Sequence, residues 1–421
     1  MSIRSEPVSS HITLAGCTIL HSFTHALPTM FAPLYLLMAT DLHLQGVKLV
    51  TLLLTVYGCV YYIFSFAAGI LADRFDRRML LGIGLIGNAA AVMAIGFTHS
   101  YAPMLGLAVL AGFFGAIFHP AGNALAAAHY PKSPGMAIGL MGVGSGLGFW
   151  AGPQYAGWRA TLTGHWQTPC VELGAFGIIV GLAFVILARE TNPRHAHHDT
   201  PLHPHVGKRL RRRAYAIASL LCWRDFAGTA VVTLASVFLQ KAYGLDAART
   251  GYILGTMMII SIIVNPLTVY LSAGHRRLPT LTIILIGAGL TIAIVPLIPL
   301  WMVLPVLCVF QAFSLGSYAV GDAAILERVP AQMRGRFSGF FLTLVGTFSS
   351  TAPWVMGFWT DHLGEHANHP RGYILPFAAV GAMLIFSSLG VRLIAHLTDV
   401  EKPIASEILA TAQPICPSAV G

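Results

Sequence analysis

The sequence predicts an all-α integral membrane protein whose twelve transmembrane helices form two six-helix pseudo-repeats, and three observations carry that prediction. Only 10% of the 421 residues are charged while 56% are hydrophobic, against about 25% charged in an ordinary soluble chain. Stretches free of Asp, Glu, Lys and Arg recur along the chain at membrane-crossing length. The two halves also echo one another in sequence. A soluble globular protein is excluded, and nucleic acid is not needed to account for the net charge of +9.

A bilayer core of about 30 Å takes roughly 20 helical residues, and a charge at a helix centre costs about 2.5–3.5 kcal/mol on insertion scales. Charge-free runs therefore delimit the helices. Run 7–40 is helix one; its apolar part, from near His11 to Met38, is too long for a signal-peptide core. Run 49–72 is helix two. Run 79–131 has 53 residues and splits at Thr98-His99-Ser100-Tyr101-Ala102-Pro103 into helices three and four. Runs 133–158, 173–188, 226–240 and 250–275 are helices five to eight. Run 278–321, of 44 residues, splits around Pro299-Leu300-Trp301 into nine and ten, and runs 337–360 and 372–391 are eleven and twelve. Helices six and seven are short, at 16 and 15 residues, so Glu172, Arg189, Arg224 and Lys241 are expected at the membrane interfaces.

The organisation that follows is a tail over 1–11, a six-helix bundle over 12–189, a His- and Arg-rich connection over 190–220, a second bundle over 221–396 and a tail over 397–421. Of the 25 Lys and Arg, 20 fall on the side of the termini, with Arg224 and the run Lys208-Arg209-Leu210-Arg211-Arg212-Arg213 among them. Lys48, Arg159, Lys241, Arg249 and Arg371 fall on the other side. By the positive-inside rule both termini are cytoplasmic, as in a bacterial inner-membrane protein. The six cysteines form no C-x-x-C pair and read as small hydrophobes.

The echo runs at an offset near 199. Phe118-His119-Pro120-Ala121-Gly122-Asn123-Ala124 faces Ser317-Tyr318-Ala319-Val320-Gly321-Asp322-Ala323, with Asn123 opposite Asp322. A duplicated six-helix unit leaves such a trace.

Between helices two and three stands Gly69-Ile70-Leu71-Ala72-Asp73-Arg74-Phe75-Asp76-Arg77-Arg78. It resembles the signature of the major facilitator superfamily, roughly G-x-x-x-D-R-x-G-R-R, with Asp76 at the second Gly. The resemblance implies twelve helices around a central cavity lined by helices one, four, seven and ten, with Gly69, Asp73, Arg74, Arg77 and Arg78 forming a cytoplasmic gate. In helix five, Gly139, Gly148, Gly152-Pro153 and Gly157 resemble the motif of drug:proton antiporters in that superfamily, and glycines four apart let another helix approach closely. Ser22-Phe23-Thr24-His25 and Phe118-His119-Pro120 resemble the fosmidomycin-resistance exporters, with Thr29 where that group often has an acid.

Buried ionisable groups are the functional candidates. His21 and His25 in helix one, four apart and so on one face, and His119 in helix four fall near the membrane middle. A midplane His suits proton coupling, although a buried His also serves simply by bonding a backbone carbonyl. Asp322 is the acid that stands within an apolar segment, as a coupling carboxylate or as an inner-gate partner of a residue such as Arg328. Asn123, Gln240, Gln311, Gln154, Asn88 and Asn265 are secondary candidates for the cavity lining.

Cofactors are not expected. Gly207-Lys208 lacks the phosphate-loop pattern, and His21 to His25 lacks a zincin Glu. His195, His197, His198, Asp199, His203 and His205, and separately Asp361, His362, Glu365, His366 and His369, stand in polar loops without a recognised ligand spacing, so no resident metal is expected. The resulting expectation is a non-enzymatic secondary transporter working by alternating access: proton-coupled efflux of a small molecule, a drug or a metabolite, by a monomer, powered by the proton gradient. An uptake symporter or facilitator for an organic acid, sugar or similar metabolite is the alternative.

Overall fold

The protein, as a computed structural model, is described over residues 7–190, 208–329 and 334–397, with the side chains of 208–211 and 334–338 outside that description. The chain crosses from end to end twelve times. α1 is Val8–Thr29, continued after a 3-10 turn by Tyr35–Asp41. α2 is Val47–Arg74, α3 Arg77–Ile95, and α4 Tyr101–Gly115 with Phe118–His129. α5 is Pro134–Thr163 and α6 Gln167–Leu187. In the second half, α7 is Lys208–Ala242, α8 Ala247–Ile259 with Ser261–Leu271, and α9 Arg277–Ala293. α10 is Leu300–Arg328, α11 Arg334–Ser349 with Ala352–His362, and α12 Ile374–Ser387 with Leu389–Ala395. The predicted splits at 98–103 and around Pro299 are where α3 gives way to α4 and α9 to α10.

Local chemistry explains the interruptions. Pro33, Pro120 and Pro353 have no N–H for the carbonyls of Thr29, Ala116 and Ser349, the points where α1, α4 and α11 are stepped. Polar side chains within α1 are satisfied without water. Thr13, Thr18, Ser22, Thr24 and Thr29 each donate a hydroxyl to the carbonyl four residues back. Around the outside, Ile186, Ile263, Tyr270 and Trp301 are at least 70% exposed, which only a lipid surround makes favourable.

Both helices expected to be short are longer than predicted: α6 has 21 residues rather than 16 and contains Glu172, and α7 departs further. α7 has 35 residues rather than 15, and it begins within the basic run at Lys208. Arg224 is therefore not at an interface; it lies in the middle of the helix and is 1% exposed. The charge-free rule failed because Arg224 and Asp225 neutralise each other, so the pair is carried into the membrane together. The histidines over 195–205 lie outside the described residues.

The molecule has a basic end, which carries the start of α1 and the loops around Arg77 and Arg276, and a far end opposite. The halves meet from mid-depth to the far end in two pseudo-equivalent pairs, α5 with α8 and α2 with α11. Ala248 N–H donates to Thr161 Oγ1 at 3.0 Å in the first pair. In the second, both carboxylate oxygens of Asp361 accept from the backbone N–H groups of Val47 and Lys48 at 2.9 Å. Trp354 N–H also reaches Thr55 Oγ1 at 3.2 Å. At the basic end Asp73, Arg74 and Gly139 are exposed.

Candidate functional site

Between the halves lies a chamber of two lobes. The larger, of about 400 Å³, is walled by α1, α2 and α5 on one side and α7, α8, α10 and α11 on the other. The smaller, of about 250 Å³, extends from it toward the basic end. Tyr62, Asp225 and Tyr318 belong to both walls and form the neck.

The larger lobe is lined on its first-half side by Tyr57, Tyr61, Tyr62, Phe149 and His25. Behind His25 stand His21 and His119, and the ring nitrogens of the three lie within 4.8 Å of one another. α1 supplies two of them one turn apart. α4 supplies the third from the stepped turn at Pro120. His21 Nδ1 lies 2.9 Å from the Met141 carbonyl, which can only accept, so this nitrogen carries the proton. Its Nε2 then accepts from His25 Nε2 at 3.1 Å. Phe118 stacks on His21 at a centroid distance of 4.7 Å, and Phe149 covers His25 at 4.3 Å. The buried Tyr61 hydroxyl has no hydrogen-bond partner, and its ring meets His119 edge-on.

The neck and smaller lobe carry the charges. Arg224 Nε and Nη2 each lie 2.8 Å from Asp225 Oδ2, and Nη1 donates to the Ser317 carbonyl at 3.2 Å. Its guanidinium lies over the Tyr318 ring at 4.2 Å. The opposite side is the backbone of Gly321, where a Cβ would come within 2.8 Å of Nη1. Asp322 shares the lobe and is exposed to it. Asp322 is thus not the sole acid within an apolar segment: Asp225 is a second, hidden from the sequence reading by its neighbour Arg224. Counted formally, with the histidines neutral and both carboxylates ionised, one Arg and two Asp give the chamber a net charge of −1.

The other predicted positions divide. Gln311 lines the larger lobe, its Nε2 3.0 Å from Met258 Sδ. Asn88 is one layer behind, donating to the Tyr57 hydroxyl at 3.0 Å. Gln240 and Gln154 are not on the chamber wall but in contacts between the halves. Gln240 donates to Ser236 Oγ at 3.0 Å, and that hydroxyl donates to the Ala32 carbonyl. Gln154 packs against Gly255 of α8. Asn123, half-buried on α4, lines neither lobe, and Asn265 Oδ1 is buried without a partner.

The two glycine motifs resolve into separate contacts. A Cβ on Gly148 would overlap the Ser22 carbonyl, one on Gly152 would come within 2.6 Å of the Ala26 carbonyl, and one on Gly157 would overlap the Ala247 carbonyl. Gly144, by the same measure, meets the Thr18 carbonyl, whereas Gly139 and Gly142 meet nothing. Gly148 and Gly152 therefore seat α1 against α5, Gly157 seats α8, and Pro153 is buried beside Gly251. At the basic end a Cβ on Gly69 would stand 3.8 Å from Pro120 Cβ, an ordinary contact, so this glycine is not required by close packing. Arg77 Nε donates to the Ala72 carbonyl at 3.3 Å, and the backbone N–H groups of Arg77 and Arg78 both reach Glu190. Asp76 caps α3 by accepting from Met79 N–H at 2.9 Å with φ −58°, so no glycine is needed there. Asp361, one of the loop residues weighed as a metal ligand, is occupied with α2, and His362 Nδ1 bonds the Phe358 carbonyl.

A family profile described as the Major Facilitator Superfamily matches residues 14–317 and 224–417. The tetracenomycin C resistance and export protein of Streptomyces glaucescens is 33% identical over 130 residues, 29% of this chain and 23% of that one. Multidrug resistance protein MdtG of Proteus mirabilis is 31% identical over 160 residues, 37% and 38% of the two chains. The alignments span well under two thirds of these relatives. Among solved structures, an inward-facing, occupied bacterial homologue of the human lysosomal transporter Spinster superposes with a TM-score of 0.77 at 16% identity, over 93% of this chain and 98% of that one.

Proposed function

This chain belongs to the Major Facilitator Superfamily, a multi-pass membrane transporter and not an enzyme, and we propose that it exports a small organic molecule in exchange for protons. The single observation that carries the reading is the chamber itself: three histidines from one half and an Arg–Asp pair with a second Asp from the other, around one aromatic-lined space. The resistance and export proteins among its relatives support the outward direction. The basic end is cytoplasmic under the positive-inside rule, so the conformation sealed at the far end is the one that loads cargo from inside.

The exchange follows from charge. Arg224 balances one of the two carboxylates, leaving a single negative charge that a proton or a cationic cargo neutralises, but not both. A proton arriving from the far side loads Asp322, His25 or His119 and leaves to the inside as cargo binds. Each ligand drives the switch by its different affinity for the two states. Tyr57, Tyr61, Tyr62, Phe149 and Tyr318 give a flat cation good π faces, so lipophilic cations are favoured over anionic phosphonates.

The test is collapse of a pH gradient in energised everted vesicles, with lipophilic cations, phosphonates and small organic acids added in turn. Proton release on adding a cation, absent in His119→Ala, is the expected result. Loss of preloaded compound from the lumen together with protons would instead establish uptake, and no response from well-folded protein to compound on either side would reject proton coupling.

A further inference from the structure

The histidine cluster has a geometry that proton coupling alone does not require. Among the described residues it is the one group of three or more His, Cys, Asp or Glu side chains whose donor atoms converge within 4.8 Å. His21 and His25 stand four apart on α1, and their Nε2 atoms are 3.1 Å apart. Two imidazoles bound to one tetrahedral Zn²⁺ at about 2.0–2.1 Å hold their nitrogens about 3.3 Å apart, so this pair needs a shift of only a few tenths of an ångström. His119 reaches the same point from α4, its ring 5.2 Å from His21 and 5.7 Å from His25.

The surroundings fit a metal as well. A ligating His normally gives its other ring N–H to a carbonyl or carboxylate, which fixes ring and tautomer. His21 already does so through Nδ1 to Met141 at 2.9 Å, leaving Nε2 as the ligating atom. Phe118 and Phe149 hold His21 and His25 from their faces. Three imidazoles leave one coordination position open, and His25 separates the trio from the larger lobe, which it borders. No carboxylate joins the trio; an all-imidazole set favours Zn²⁺, Co²⁺, Ni²⁺ or Cu²⁺ and disfavours Mg²⁺ and Ca²⁺, which demand oxygen. The positive charge brought in is opposed by the net −1 of the neighbouring lobe.

We propose that His21, His25 and His119 form a three-histidine binding site for a divalent transition-metal ion, set in the wall of the transport chamber. The site does not depend on the direction of transport or on proton coupling. Where the exchange above operates, metal and proton are mutually exclusive occupants of the same nitrogens, and the ion arrests the cycle.

The experiment titrates purified full-length protein in detergent with Co²⁺, following the visible absorption that is intense for tetrahedral and weak for octahedral cobalt, and then displaces it with Zn²⁺. Wild type should show one intense-band equivalent per chain, displaced by Zn²⁺. His25→Gln and His119→Gln, each checked for a monodisperse peak and unchanged helical circular dichroism, should bind at least tenfold more weakly and lose the intense band. Titrations of wild type and both variants that superimpose would mean that exposed loop histidines alone hold the metal, and would overturn the proposal. So would a weak octahedral spectrum in wild type. Proton coupling can fail in vesicles while this band persists, and the band can be missing while coupling holds, so the two readings fail separately.

Discussion

Arg224 shows how far one side chain's surroundings can depart from its neighbours in sequence. It is buried with its charge matched by Asp225, its Nη1 on the Ser317 carbonyl and its face on Tyr318. Removing one member of a buried pair typically costs about 3–5 kcal/mol, because the other charge is left uncompensated. Arg224→Gln should accordingly lower the thermal midpoint in detergent by several degrees, and Arg224→Lys should lower it less, since it keeps the charge while losing the fork that grips Asp225 and Ser317 together. Gly321→Ala tests the same packing from the other side. Its Cβ would press on Nη1 at 2.8 Å, and because that nitrogen is pinned, gradient-driven transport should drop while the fold survives, as vesicle flux and circular dichroism would show. For the histidines, His119→Ala should cut proton-driven flux at least tenfold with the protein still monodisperse.

At the level of elements, the spacing of glycines on α5 is a packing rule made visible. Gly144, Gly148 and Gly152 lie on one stripe against the backbone carbonyls of Thr18, Ser22 and Ala26. Backbone cannot move aside as a flexible side chain would, so Gly148→Ala should cost about 1–3 kcal/mol as overpacking. Gly142→Ala, where an added Cβ meets nothing, should instead be stabilising by up to about 1 kcal/mol. Comparing their thermal midpoints separates contact from propensity, since Gly→Ala by itself favours a helix. Gly157 has a different partner, Ala247 of α8, and so belongs to the contact between halves rather than to the first bundle. One sequence motif thus serves two interfaces.

Across the whole molecule, the far end is held shut by contacts that must be broken for the chamber to open there. Asp361 contributes most visibly: it caps α2 from the opposite half, in the place where α8, the pseudo-equivalent of α2, is capped by its own Asp246. Hydrogen bonds to a charged group contribute about 1.5–3 kcal/mol, which is at least a tenfold change in the ratio of the two states. Spin-label distances across the far end should therefore shift toward longer values in Asp361→Ala. Gly46, at φ +102° and directly against the Asp361 carboxylate, should respond in the same direction when changed to Ala.

The sequence by itself determined the fold. Charge-free runs, two proline-marked reversals, the repeat and the loop motif together specify twelve helices in two halves, because a membrane tolerates so few other arrangements of apolar chain. It also placed His21 and His25 on one face through their spacing of four. What only the tertiary structure decided was which polar groups meet. His119 joins the α1 pair across more than ninety residues of chain, and no local pattern encodes that distance. Arg224 and Asp225 were legible only as a break between two apolar stretches, since a matched pair inside a helix and a charged loop at its end read alike in one dimension. Gln240 and Gln154 looked like cavity lining, yet Gln240 bonds Ser236 on its own helix, whose hydroxyl reaches Ala32 of the other half, and Gln154 packs against Gly255 of α8; a polar residue in a membrane helix needs a partner, and the sequence does not say on which side of the helix that partner stands.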